Sequence, residues 1–167
     1  YGAKTKRLQL LCAQLDGDSH LVMAANLCKA DLTTDMVREF PELQGVMGGL
    51  YAQRENLPEP VWKAVYEHYQ PVSLDDKSPS THLGALLSIA DKVDTLVGCF
   101  SAGIIATGSR DPFGIRRQAQ GLVKVLLEHR LAYSMEDLVS LAQDSFEKSS
   151  ILLDEEQKSS LLSFLDR

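Results

Sequence analysis

The chain has 167 residues, a formal net charge of −6, 44% hydrophobic and 24% charged residues, the balance of a soluble globular protein of roughly one to one and a half domains. No run approaches the ~18 apolar residues of a membrane span, and the three cysteines, Cys12, Cys28 and Cys99, are too few and too scattered for a disulfide framework or a zinc site. The acidic total excludes a general polyanion binder. The basic excess past the N-terminus is local: residues 100–130 hold five Lys or Arg against two acidic residues. The opening "YGAKTKRLQLL" has no secretory signal and no initiator Met, so a cytoplasmic piece of something longer is expected.

Apolar period 3.6 runs through nearly every segment and no stretch alternates as a strand, so the fold expected is all-α. A helix over 3–15 carries Leu8, Leu11, Cys12 and Leu15 on one face; "DGDS" then turns the chain, with Asp18 or Ser19 as cap. One long helix over 19–38 is predicted, stopping at Phe40-Pro41 because proline cannot continue it. In a helix over 42–55, Gly45, Gly48 and Gly49 each cost up to ~1 kcal/mol against Ala, which close approach by a neighbouring helix would offset. A helix to Tyr69 starts at Glu59 or Pro60, with Val61, Val65 and Tyr69 on one face, and "QPVSLDDKSPST" is the longest loop. The stretch 81–99 is apolar but for Asp91, Lys92 and Asp94 and should be the central helix. Helices from Pro112 to about Arg130, over 134–148 and over 154–165 complete the chain. The organisation expected is a core domain at 1–130 with a helical extension at 131–167.

Three ionisable residues interrupt apolar segments: Asp31 in "CKADLTTD", His68 in "YEHYQP" and Asp91 in "SIADKVD". An unpaired buried carboxylate is costly, so each needs a metal, a basic side chain or helix-end amides. The spacing resembles HD-type phosphohydrolases, an all-α fold in which a His, a His-Asp doublet and a later Asp hold one metal. Ala30 stands where the doublet's histidine belongs. Carboxylates without imidazoles make a poor transition-metal site. The reading is therefore a degenerate set at Asp31, His68 and Asp91, no metal and no catalytic residue, with an active phosphohydrolase as the alternative.

"KADLTTDMVREFPELQGVMGGLYA", "VYEHYQP", "ADKVDTLVGCF" and "TGSRDPFGIRRQAQGLVKVL" together resemble the beta subunit of bacterial glycyl-tRNA synthetase, the tetrameric type with separate alpha and beta chains. The likeness is collinear across 1–130 and looser beyond. It implies a degenerate HD-like helical bundle with two further helices appended, leading towards an anticodon-binding region outside this chain. It also implies an aminoacyl-tRNA synthetase in which the alpha chain binds ATP and Mg and activates glycine, leaving this segment without a cofactor. The partners implied are tRNA(Gly) and the alpha subunit, with neither membrane nor DNA. A purely structural spacer is the other alternative. Gly49 departs from the family pattern, where Arg or Lys is expected.

The stretch "TGSRDPFGIRR", 107–117, reads as an anion site: Asp111 as cap and Pro112 as first helical residue, with free amides and two arginines behind them. Arg110, Arg116, Arg117 and Lys124 are the candidate RNA-binding residues. Adjacent helical residues point ~100° apart, so Arg117 and Arg110 should lean towards RNA and Arg116 towards the core, or the reverse. The internal alternative pairs at least one of these arginines with Asp91 or Asp94.

Overall fold

A computed structural model describes residues 2–106, 110–146 and 152–166; these form nine α-helices joined by turns, three of them 3₁₀, with no β-strand. Helix α1 (Gly2–Leu15) buries Leu8, Leu11, Cys12 and Leu15, the stripe its period predicts. Asp18 caps α2 (Ser19–Leu27) by accepting the His20 and Leu21 amides at 2.7 and 3.2 Å.

The long helix expected over 19–38 is interrupted. After α2 the chain forms a 3₁₀ turn, Ala30–Thr33, and restarts as α3 (Asp35–Glu39), capped by the Thr34 hydroxyl. The break has a clear cause. Lys29 and Asp31 are both buried while Ala30 between them is exposed; on a regular helix positions two apart lie ~200° around the axis and could not both turn inward.

A second 3₁₀ turn, Pro41–Leu43, leads to Gly45 at φ 80°, which opens α4 (Val46–Arg54). The glycines serve close approach. A Cβ at Gly49 would lie 2.5 Å from Tyr66 Cβ and 3.0 Å from the Trp62 carbonyl oxygen, both on α5 (Glu59–Glu67).

Helix α6 (His82–Ser101), capped by Thr81, is buried along most of its length. Around it pack α1, α2, α5, α7 (Ile115–Glu128), α8 (Met135–Phe146) and α9 (Glu155–Leu165). Ile115, Leu122, Leu138, Val139, Ala142 and Leu161 join Leu86, Leu87, Ile89 and Phe100 in one apolar cluster, each large side chain contributing ~1.5–3 kcal/mol by leaving water. The three cysteines are buried free thiols. No helix of the described residues is long and apolar enough to cross a membrane.

The helix expected to start at Pro112 starts at Ile115. Pro112–Gly114 is a 3₁₀ turn containing two left-handed residues, Phe113 (φ 63°) and Gly114 (φ 63°). Asp111 still caps from a distance: both carboxylate oxygens lie 3.3 Å from the Arg116 amide. Thr107, Gly108 and Ser109 of the same stretch lie outside the described residues.

Candidate functional site

The break after α2 turns the Lys29 side chain into the interior. There its ammonium donates to Asp91 Oδ2 at 2.8 Å and to His68 Nε2 at 2.9 Å, and lies 3.9 Å from the centre of the Tyr69 ring. An ammonium has donors only, so Nε2 accepts and the ring proton is on Nδ1, which donates to the Val65 carbonyl at 2.6 Å. Burial, reinforced by the Lys29 charge, lowers the His68 pKa to about 3, so the imidazole is neutral. Burial alone would raise the Asp91 pKa; Lys29 and Lys4 outweigh it and hold the carboxyl well below the usual range. His68, Asp91 and an aromatic face thus converge on a cation that belongs to the chain itself. These residues do not fit a divalent metal, because the ammonium occupies the point where they meet. Among the described residues no three His, Cys, Asp or Glu side chains gather as a metal set.

Asp31 stands beside this centre and is held differently. Its Oδ2 accepts the amides of Gly45 (2.6 Å) and Gly48 (3.1 Å) at the start of α4, while Oδ1 is buried without a hydrogen-bond partner. Gly45 joins the two halves: a Cβ there would lie 2.7 Å from the Tyr69 ring and 3.5 Å from His68 Cε1. Only a residue without a side chain lets its amide reach Asp31 across that ring.

Asp91 and Asp94 are paired, but not with the arginines expected. Lys4 comes within 3.0 Å of Asp91 Oδ1, an ion pair off the angle of a hydrogen bond, and donates to Asp94 Oδ2 at 2.8 Å. Arg7 forks onto Asp94 at 2.6 and 3.1 Å and stacks 4.1 Å over the Phe146 ring. The internal partners therefore come from α1 and the end of α2, and not from Arg110, Arg116 or Arg117. Sequence reasoning overlooked Lys4, Arg7 and Lys29. A signal existed for Lys4, since the stripe Leu8, Leu11, Leu15 projected one turn back reaches it. Lys92, also buried, donates to Ser88 Oγ (2.7 Å) and the Gln70 carbonyl (3.0 Å), and burial lowers its pKa to about 8.

At the second site Arg110 and Arg117 are exposed and Arg116 is half-buried. None of the three has a carboxylate partner among the described residues. Lys124, two turns along α7, is half-buried and paired with Glu128 at 2.8 Å. The basic face therefore consists mainly of the loop and the first turn of α7.

The family model described as glycyl-tRNA synthetase beta subunit matches residues 1–167. The chain belongs to that family. Among relatives, a protein of Lawsonia intracellularis described as a glycine–tRNA ligase beta subunit is 46% identical over 149 residues, covering 86% of this chain and 21% of the relative. Relatives of the same description from Rickettsia canadensis and Shouchella clausii are 40% and 42% identical, covering 97% and 98% of this chain and 24% and 25% of their own length. The chain thus spans about a quarter or less of the relatives it matches. In this member of the family, the stretches 29–52, 65–71 and 90–100 meet at the Lys29 centre, contributing Lys29, then His68 and Tyr69, then Asp91, with Asp31, Gly45 and Gly48 beside it and Asp94 held by Lys4 and Arg7. The fourth stretch, 107–126, carries the exposed arginines instead.

Proposed function

We propose that this chain is a non-catalytic helical part of the beta chain of a cytoplasmic glycine–tRNA ligase, contributing contacts to tRNA(Gly) through Arg110, Arg116, Arg117 and Lys124. Glycine activation, with ATP and Mg, belongs to the alpha chain in this reading. Family membership over the whole length supports the assignment to the ligase. The non-catalytic role rests on Lys29, whose ammonium fills the place where a hydrolytic metal would be needed. The RNA contact rests on the solvent-facing guanidinium groups of Arg110 and Arg117 at the start of α7, a geometry suited to phosphate oxygens. The Lys124–Glu128 pair favours a smaller patch centred on the loop, and with it the spacer reading for the remainder of the chain.

The test uses the intact alpha–beta enzyme. Arg110→Gln and Arg117→Gln should each weaken tRNA(Gly) binding and reduce its salt dependence by roughly one phosphate contact. The loss should fall on aminoacylation, read against glycine-dependent ATP–pyrophosphate exchange, which needs no tRNA. Unchanged affinity and salt slope in the double variant would leave the chain as a spacer.

A further inference from the structure

We propose that Phe113 is a stacking platform for an unpaired RNA base, with Arg110 and Arg117 holding the neighbouring phosphates. The proposal rests on the RNA-binding reading of the same loop and adds a residue and a partner class to it. Phe113 is 70% exposed, more than the other exposed aromatic side chains of the described residues, Phe40 at 51% and Tyr51 at 38%. Its backbone sits at φ 63°, ψ 10°, a region that is strained for a bulky residue. The core does not require the ring, since Ile115 two residues later fills the apolar position at the head of α7. An aromatic ring is thus presented to solvent on a left-handed backbone that glycine would adopt at no cost.

The surroundings suit a nucleotide. Gly114 is also left-handed, and a Cβ there would lie 2.8 Å from Arg117 Nη2 and 3.1 Å from its Nε. The missing side chain lets the guanidinium lie back over the backbone next to Phe113. Arg110 is exposed on the other side in sequence. The loop's one carboxylate, Asp111, is directed to the Arg116 amide, and among the described residues neither exposed arginine has a carboxylate partner. An aromatic face with flanking guanidinium groups recognises bases that are splayed out of a helix, because a duplex buries its base faces. The partner is therefore a single-stranded loop or end of the RNA, and not a paired stem.

Four variants of the intact alpha–beta enzyme, with a tRNA(Gly) transcript as the probe, separate the possibilities. Phe113→Leu keeps an apolar side chain and removes the π face, and should weaken binding by about tenfold or more. Phe113→Gly should weaken binding similarly while leaving thermal stability equal or higher, because the strain is relieved. Phe113→Trp should retain binding, and the emission it adds over that of the parent enzyme should be quenched on adding tRNA. None of the three should alter the salt slope, which Arg110→Gln/Arg117→Gln lowers. If Phe113→Leu binds like the parent while the arginine variant does not, stacking is wrong and the RNA-binding reading stands. If neither changes binding, both are wrong. If Phe113→Leu weakens assembly with the alpha chain in the absence of tRNA, the ring seats on protein and the proposal is overturned.

Discussion

Replacing Lys29 by methionine tests whether the buried ammonium organises the centre of the domain. Methionine keeps an unbranched stem of similar reach and removes the charge. Two acceptors are then left in the interior, His68 Nε2 and Asp91 Oδ2. Breaking one side of a buried ion pair costs about 3–5 kcal/mol. Lys4 remains 3.0 Å from the other Asp91 oxygen, which places the expected loss near the lower end, about 3 kcal/mol. For a domain of this size each kcal/mol moves Tm by about 2–4 °C, so the variant should melt roughly 6–12 °C lower, followed by circular dichroism at 222 nm. The double variant Lys29→Met/Asp91→Leu removes both charges and should recover part of the loss, since an apolar replacement of a buried pair is often neutral. A single variant within about 1 kcal/mol of the parent, below the range for a broken buried pair, would refute the reasoning. So would a double variant whose loss equals the sum of the singles.

His68 makes the fold acid-sensitive. The unfolded imidazole takes a proton near pH 6.5 and the folded one only near 3, so the unfolded state binds more protons between these values. Stability should fall by about 1.4 kcal/mol per pH unit as pH drops through that window. Urea melts at pH 6.5 and 4.5 should show this slope in the parent and not in His68→Gln, whose baseline contains the other three histidines equally. Two helical glycines should respond in opposite directions to alanine. Gly49→Ala places its Cβ 2.5 Å from Tyr66 Cβ and 2.8 Å from its Cα, an overpacking cost of about 1–3 kcal/mol that exceeds the ~1 kcal/mol gained in helix propensity. Gly98→Ala meets only the Phe146 ring, at 3.4 Å, and should be neutral or stabilising. Chemical denaturation of the two variants side by side decides the comparison.

Much of the fold is legible in the sequence because period and punctuation agree. The stripe on α1, the Asp18 cap, the stop before Pro41 and the apolar run of α6 each follow from local rules. The break between residues 28 and 34 does not, because "AANLCKADLTTD" keeps helical spacing; it results from amides that reach Asp31 from 14 and 17 residues away. The left-handed pair Phe113–Gly114 was hidden by an Asp-Pro sequence that normally opens a helix directly. At the site, Asp31, His68 and Asp91 could be picked out as ionisable residues set among apolar ones. Their organiser could not, since a lysine at a helix end ordinarily reads as solvated. The Arg7–Asp94 fork spans 87 positions, and nothing local announces it.

The cation at the centre of the domain is covalently attached to the chain it stabilises. It therefore has no dissociation constant, and no chelator can remove it. Its position is set by the same backbone path that places His68 and Asp91 around it.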